Sequence, residues 1–430
     1  MPQAVWILVP GTIDPRSSQS VPRSEGSRSF ACPRGNGFFC GQWLISLLLG
    51  LVNWFTGSAI LCAENPAVVP GENIKVLRVY IGTYTTGESR GIYTAQVDLD
   101  RATLSEPVLA AQLRNPSFLA IHPTKPVLYA VGEMADFQGK RMGAVTALAI
   151  ERPAGTLRLL NQQPSGGAGP CHLCVDSSGE FVVVANYGAG STACFPLAPD
   201  GSLKPASAIV QHQGFSVHPT RQKGPHAHQV RMPPGKDLVL VPDLGLDKVM
   251  LYHLDKEKGE LRAANPPSVS LPPGSGPRHL AFGPGGKFLY VLNELSSSIS
   301  VFACRDWIPL KLVQTVSALP ADFPGDNTGA EVVVHPSGRF LYSSNRGHDS
   351  IAIFSIDQAN GTLTLRGHVP SGGRTPRNFN IDPSGTLLIS ANQNSNNILV
   401  YRIDQTTGEL TPSGSEIKVG APVCIIFAKF

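Results

Sequence analysis

The chain has 430 residues and a formal net charge of +4 at neutral pH, and only 15% of its residues are charged. Glycine and proline are abundant, with 44 and 37 residues, which is typical of many short strands joined by tight turns and not of a helical or disordered chain. No lysine-rich or arginine-rich run occurs, so the sequence gives no reason to expect nucleic-acid binding. A few positive charges gathered in a pocket could still attract an anionic metabolite.

Residues 1–73 contain no element of the repeat that follows them. Residues 1–40 are polar, irregular and rich in Ser, Gly, Pro and Arg, and we predict that they are disordered. Residues 43–63 are mostly apolar and resemble a signal-peptide core or an N-terminal membrane anchor. Export, for example to the periplasm, is the favoured interpretation. The alternatives are an uncleaved anchor, an apolar segment packed on the main domain, or a cytoplasmic protein whose true start lies downstream of Met1.

A repeated unit fills the rest of the chain. A short apolar strand, a turn rich in Pro and Gly, and a second apolar strand ending in Asn or Asp follow one another, as in Gly276 to Glu294. A third strand and a Gly-x-Leu motif that opens a fourth strand complete the unit, as in Gly361-Thr-Leu363. The starts of successive units are 46 to 55 residues apart. This length predicts one four-stranded blade of a β-propeller per unit.

The two ends of the repeat region complement each other. The segment that begins at Val76 starts with a second strand and lacks a first, whereas the segment that begins at Pro422 is a first strand with nothing after it. Together with six complete units they make a seventh blade, and their pairing removes open strand edges. We therefore predict an all-β, seven-bladed propeller over residues 74–430, closed by pairing of the C-terminal strand with the N-terminal blade. An open solenoid would not need complementary half-repeats.

Two sequence positions in each unit are expected to meet at one mouth of the propeller channel. The first lies fourteen or fifteen residues before the Asn or Asp that ends the second strand, and the second follows that residue directly. Charged groups gathered in a partly desolvated hole are costly unless they are paired or used. The structural alternative is a simple ion pair between Arg278 and Glu294 across the hairpin. The first position holds Ser117, Cys171, His228, Arg278, Glu331 and Arg377, and the second holds Tyr187, Leu244, Glu294, Arg346 and Gln393.

Metal binding is the weaker interpretation of two motifs. Cys171-His-Leu-Cys174 has the spacing of a zinc knuckle, but residues three apart on a strand face opposite sides and no second such pair follows. His226 and His228 lie two apart on one predicted strand face, with Asp243 as the only candidate third ligand. We therefore predict no metal and no other cofactor.

At these residues the sequence resembles the seven-bladed propeller lactonases, which include propeller-type 6-phosphogluconolactonases and fungal 3-carboxy-cis,cis-muconate lactonizing enzymes. The resemblance covers about Val79 to Phe430. It implies that His228, Arg278, Glu294 and Arg346 are active-site residues, the same four that the positional argument selects. We expect Arg377, Glu331 and Asn293 to contact substrate. The motifs that carry the resemblance are Gly224-Pro-His-Ala-His228, Gly276-Pro-Arg-His-Leu280, Asn293-Glu-Leu295, Ser344-Asn-Arg-Gly347 and Thr375-Pro-Arg-Asn-Phe379.

The resemblance leaves three functions open. The first is hydrolysis of a sugar-acid lactone such as 6-phosphogluconolactone, with Glu294 or His228 as the base and arginines holding the oxyanion or an anionic group. The second is a muconate-type cycloisomerisation, because a dicarboxylate would need the same positive pocket. The third is an exported, non-catalytic propeller that binds proteins or sugars. The expected partner is a small anionic lactone or carboxylate, with no nucleic acid and with residues 43–63 as a membrane anchor if they are retained.

Overall fold

The structure, a computed structural model, describes residues 75–428. Within this range 28 strands form seven antiparallel sheets, and one three-residue 3-10 helix, Pro284–Gly286, interrupts them. The seven sheets are the blades of a ring, which confirms the predicted seven-bladed propeller. The boundary predicted at residue 74 and the apolar stretch 43–63 lie outside the described residues. No helix within residues 75–428 is long and apolar enough to cross a membrane.

Five of the sheets are four-stranded blades, and the other two have three and five strands. The strands of blades 1 to 3 are β5 (Leu119–Ile121), β6 (Val127–Gly132), β7 (Ala144–Glu151) and β8 (Thr156–Pro164); β9 (Pro170–Val175), β10 (Phe181–Asn186), β11 (Ser191–Pro196) and β12 (Ala208–Gln211); and β13 (Leu238–Asp243), β14 (Lys248–Asp255) and β15 (Glu260–Ser270).

Blades 4 to 6 follow the four-stranded pattern, and blade 7 is built from both ends of the repeat region. Their strands are β16 (Pro277–Phe282), β17 (Phe288–Asn293), β18 (Ser298–Arg305) and β19 (Ile308–Ser317); β20 (Thr328–Val334), β21 (Phe340–Arg346), β22 (Ser350–Ile356) and β23 (Leu363–Pro370); β24 (Pro376–Ile381), β25 (Leu387–Asn392), β26 (Asn397–Ile403) and β27 (Leu410–Lys418); and β28 (Pro422–Ala428), β1 (Val76–Thr83), β2 (Gly91–Asp98), β3 (Thr103–Leu104) and β4 (Val108–Gln112).

Blade 7 closes the ring as the sequence predicts. Strand β28 pairs antiparallel with β1, so that Ile425 lies opposite Ile81 and Phe427 opposite Val79. Strand β1 pairs in turn with β2, and two short strands, β3 and β4, both pair with the far edge of β2. Both ends of the described chain are therefore hydrogen-bonded into one sheet.

Blade 3 lacks a regular first strand. The chain between β12 and β13 approaches β13 only through two isolated bridges, Ala227 with Asp243 and Arg231 with Leu240. The segment around His226 and His228, which the sequence predicts to be a strand, is therefore irregular. This irregular path carries two of the side chains that matter below.

The first strands of neighbouring blades pack against one another, β16 on β20, β20 on β24 and β24 on β28, so they form the inner ring. Between the blades lie seven apolar clusters, each built from two neighbouring sheets. Burial of apolar surface between blades, together with the closed ring, supplies the main stabilising term of this architecture.

The repeated Gly-x-Leu motif has a structural reason. The hydroxyl of Tyr290 on β17 donates to the carbonyl of Gly361 in the next blade at 3.1 Å, and Tyr80 and Gly155 repeat the contact at 3.0 Å. Gly361 has a φ of 75°, a left-handed conformation that glycine adopts without a steric cost. The motif therefore places a bare backbone carbonyl where a neighbouring tyrosine can reach it.

Candidate active site

A cavity of about 390 Å³ receives side chains from all seven blades. They lie at the beginning of a first strand, at the end of a second strand or directly after it, or in the connection that precedes β13. A volume of this size is in the range of small-molecule sites. Its lining residues are Tyr84, Glu133, Cys171, Tyr187, Arg221, His228, Glu294, Thr328, Arg346 and Arg377.

The carboxylate of Glu294 is contacted by three guanidinium groups. Arg221 Nη2 lies 2.6 Å from Oε1, Arg278 Nε lies 3.0 Å from Oε2, and Arg346 Nη2 lies 3.1 Å from Oε2. Arg278 Nε does not point its N–H at the carboxylate and is a buried donor without a hydrogen-bond partner, so its contact with Glu294 is coulombic. The predicted pair of Arg278 with Glu294 is thus one part of a larger cluster.

The arginines keep Glu294 ionised in spite of its burial. Burial alone would raise its pKa, but the positive charges of Arg346, Arg278 and Arg221 outweigh that effect and lower the pKa to about 2. A carboxylate with such a low pKa has little tendency to take up a proton near neutral pH. Glu294 is therefore suited to hold the arginines in place and poorly suited to act as a general base.

His228 lies beside this cluster and carries no charge at neutral pH. Its Nε2 is 4.0 Å from Glu294 Oε2, and its Nδ1 is 3.8 Å from Cys171 Sγ. Burial lowers its pKa well below the usual range, and the positive charge of Arg278 adds to the effect. A neutral imidazole that faces the cavity can accept a proton from water.

The other charged lining group centres on Arg377. Its Nη2 donates to the Tyr84 hydroxyl at 2.8 Å, and that hydroxyl donates to Glu133 Oε2 at 2.9 Å. Ser117 Oγ donates to the same carboxylate oxygen at 2.5 Å. Burial would lower the pKa of Arg377, but Tyr84, Glu133 and Glu294 raise it above the usual value. These residues form a second hydrogen-bonded acid–base network in the cavity.

Positive charge exceeds negative charge around the cavity. Arg221, Arg346 and Arg377 line it, and Arg278 contacts Glu294, whereas the acidic lining residues are only Glu133 and Glu294. Burial lowers the pKa of Arg346, but at about 9 it leaves the guanidinium charged at neutral pH. The surroundings are therefore complementary to a small anion.

The structure brings five of the seven predicted site residues together. His228, Glu294, Arg346 and Arg377 line the cavity, and Arg278 contacts Glu294. Asn293 does not line it, because its side chain turns into its own blade and donates to Ser298 Oγ and Ser300 Oγ at 3.0 and 2.9 Å.

Glu331 lines a different cavity, of about 660 Å³. It accepts from Asn378 Nδ2 at 2.5 Å and lies 2.8 Å from His279 Nδ1. Counting fifteen residues back from Asn345 reaches Ala330, so Glu331 is one residue further along its strand than Arg278 and Arg377 are along theirs. Successive side chains on a strand face opposite ways. Glu331 therefore corresponds to the residues of the other blades that directly follow the first of the two predicted site positions, which are His172, Gln229, His279 and Asn378.

Four lining residues were not selected from the sequence, and they are Tyr84, Glu133, Arg221 and Thr328. Glu133 follows β6 and stands sixteen residues after Ser117, the spacing that separates Arg278 from Glu294. In this unit, however, Gly132 occupies the position where the other units have the Asn or Asp that ends the second strand. Tyr84 belongs to the split blade, which offers no complete unit to align. Arg221 lies in the irregular connection before β13, where no repeat register exists.

Cys171 and Cys174 face different cavities, as strand alternation requires. Within residues 75–428, no group of three or more His, Cys, Asp or Glu side chains is placed to hold a metal ion. The described cysteines, Cys171, Cys174, Cys194, Cys304 and Cys424, are free thiols.

Comparison with known proteins identifies similar chains with the same architecture. A family model described as "Lactonase, 7-bladed beta-propeller" matches residues 78–427. A Bacillus subtilis (strain 168) protein named 6-phosphogluconolactonase is 40% identical over 301 residues, which are 70% of this chain and 83% of that protein.

Solved structures agree with the sequence comparison. A Bacteroides fragilis protein, described as a candidate 6-phosphogluconolactonase, is 37% identical with a TM-score of 0.77, over 84% of this chain and all of the other. The periplasmic gluconolactonase PpgL of Pseudomonas aeruginosa is 33% identical with a TM-score of 0.77, over 82% of this chain and 99% of that one. Both similarities extend over nearly the whole propeller.

Proposed function

The chain belongs to the seven-bladed β-propeller lactonase family, and we propose that it hydrolyses the lactone of a phosphorylated sugar acid, of the 6-phosphogluconolactone type, in the 390 Å³ cavity. The observation that carries the proposal is the arginine cluster around Glu294, which stands next to a neutral, buried His228. A lactonase needs a base for water and positive charge for the oxyanion. His228 supplies the base, and the arginines supply the positive charge.

We propose that Arg346 is the donor that stabilises the oxyanion. Both Arg346 and Arg278 contact Glu294, but Arg346 lines the cavity and Arg278 does not. The Arg346 side chain is also held in place, because its Nη2 donates to the Gly329 carbonyl at 2.9 Å. A fixed donor that needs no reorganisation during the reaction stabilises developing charge effectively.

His228 is the proposed base. It takes a proton from the attacking water, and the water oxygen forms a bond to the lactone carbonyl carbon. The tetrahedral intermediate collapses with cleavage of the bond to the ring oxygen, which receives the proton from the imidazolium. The product is an open-chain hydroxy acid, which ionises and releases one proton to solvent. Burial and the positive charges of Arg278 and Arg377 disfavour the imidazolium, so the proton leaves His228 readily.

Proton release from 6-phosphogluconolactone and from glucono-1,5-lactone tests this proposal on the full chain. We expect a rate well above the spontaneous hydrolysis of at least the phosphorylated lactone. Arg366→Gln is the matched control variant, because Arg366 is exposed and lies at a different pocket. The proposal is wrong if neither lactone is turned over faster than in buffer.

A parallel assay addresses cycloisomerisation. The absorbance of 3-carboxy-cis,cis-muconate should remain constant in the presence of the protein, because the proposal assigns water as the nucleophile. Loss of that absorbance without lactone hydrolysis would replace our proposal by the cycloisomerase reaction.

A further inference from the structure

Arg221 differs from the other two arginines on Glu294. Arg278 lies on β16 and Arg346 on β21, and their side chains are 3% and 13% exposed. Arg221 lies in the irregular connection between β12 and β13, and its side chain is 36% exposed. It is the member of the cluster that is open to solvent.

The backbone around Arg221 is nevertheless well fixed. The next residue, Gln222, is fully buried and donates to the Leu244 carbonyl at 2.8 Å. The Arg221 N–H donates to His218 Nδ1 at 3.2 Å. An exposed guanidinium on a fixed backbone can change partners by side-chain rotation alone, without a rearrangement of the loop.

Arg221 also faces the cavity, where it has one anionic and one neutral partner. It contacts Glu294 Oε1 at 2.6 Å, and Nη2 donates to the Tyr187 hydroxyl at 3.2 Å. Glu294 retains Arg278 and Arg346 on its other oxygen, so it would stay neutralised if Arg221 turned away. A phosphate monoester offers the guanidinium more charge and a bidentate geometry.

We propose that Arg221 forms a phosphate subsite at the exposed end of the cavity, exchanging Glu294 Oε1 for the phosphate group of the substrate, with the Tyr187 hydroxyl as a second donor. This inference rests on the proposed lactonase function. In 6-phosphogluconolactone the carbonyl carbon and the carbon that carries the phosphate arm lie on either side of the ring oxygen. Arg346 and Arg221 contact the two oxygens of the same Glu294 carboxylate, so a carbonyl at the buried Arg346 leaves the phosphate arm within reach of the exposed Arg221. The subsite would therefore select phosphorylated over unphosphorylated lactones.

The test compares kcat/KM for 6-phosphogluconolactone and for glucono-1,5-lactone in the full-length wild type and in Arg221→Gln. We expect the ratio of the two values to fall by roughly 10- to 100-fold in the variant, the range for loss of a hydrogen bond to a charged group. Inorganic phosphate should inhibit the wild type competitively and Arg221→Gln much less. The control is Arg374→Gln, which removes an exposed arginine from the loop before β24 and should leave both ratio and inhibition unchanged.

The outcomes separate the subsite from the reaction itself. An equal loss toward both lactones would overturn the inference and assign Arg221 to the reaction centre. Unchanged kcat/KM values for both lactones in Arg221→Gln, or a wild type that turns over only the unphosphorylated lactone, would overturn the subsite while the lactonase function stands. Turnover of neither lactone by wild type would overturn the function on which the subsite depends. Melting temperatures measured on the same samples exclude a folding defect as the cause of any loss.

Discussion

At the scale of single residues, one buried carboxylate determines how the site is charged. Glu294 is 4% exposed and gathers three guanidinium groups that would otherwise repel one another. Removing one partner from a buried ion cluster is costly because it leaves unpaired charge. Its low pKa suits Glu294 to positioning the arginines, and we propose the neutral His228 as the base.

The pH dependence of the reaction should reflect His228. Because burial and Arg278 lower its pKa well below 6.5, kcat/KM should stay constant from about pH 6.5 to pH 8 and decline only at more acidic pH, as the imidazole becomes protonated. Rates followed by pH-stat between pH 4 and 8, corrected for spontaneous hydrolysis, measure this. In His228→Gln, kcat should fall by about 10²–10⁴. A wild-type midpoint at or above pH 6.5 would contradict the assignment.

Glu331 should make the stability of the fold depend on pH. Burial raises its pKa from 4.5 to about 7 even though Arg278 opposes the shift. The unfolded chain loses this proton near pH 4.5 and the folded chain near pH 7, so the stabilising contribution is complete below about pH 4.5 and is lost as the pH rises through 7. The shift corresponds to about 3 kcal/mol.

The comparison of wild type with Glu331→Gln isolates that contribution. The free energy of unfolding of the variant should rise relative to that of the wild type by about 3 kcal/mol between pH 4.5 and 8. Denaturant titrations at several pH values measure the difference, and any pH-independent cost of the substitution cancels from its slope. Parallel curves for the two proteins would show that Glu331 ionises normally in the folded state.

At the scale of strands, register decides which predictions hold. Arg278 and Arg377 lie where the spacing predicts them. Each is the same number of residues before the asparagine that ends the next strand, because the two hairpins have equal lengths. Blade 5 has the same bulge as blades 4 and 6, but Glu331 stands one residue closer to Asn345 than the arginines stand to their asparagines, so it lies on the opposite side of its strand. Arg221 lies where the chain forms no regular strand, and no periodic pattern could have placed it.

The terminal strand β28 should be essential for the fold. Val423, Cys424 and Ile425 are buried in it, which corresponds to roughly 5 kcal/mol of apolar burial. That is comparable to the whole stability of an ordinary domain. Ending the chain before Pro422 should therefore abolish cooperative unfolding or cause aggregation through the exposed edge of β1. A control chain that ends at Ala428 should unfold like wild type. A chain that ends before Pro422 and still melts like wild type would contradict ring closure by β28.

At the scale of the whole molecule, the ring explains why the site exists only in the folded chain. The ten lining residues extend from Tyr84 to Arg377 and come from every blade, so no single blade contains the complete set and only the closed ring brings them together. The sequence repeat was sufficient to predict the closed ring and most of the charged residues of the site. It could not reveal which buried acid would be ionised, because Glu294 and Glu331 differ in their neighbours and not in their residue type.

Turnover of 6-phosphogluconolactone by Arg346→Gln, measured together with its melting temperature, tests the central claim most directly. Arg346 lines the cavity and is the proposed oxyanion donor, and loss of such a donor typically costs about 10²–10³ in kcat. We predict a folded variant with that loss, beside an Arg366→Gln control with wild-type turnover. A folded Arg346→Gln protein that hydrolyses the lactone at the wild-type rate would contradict the account.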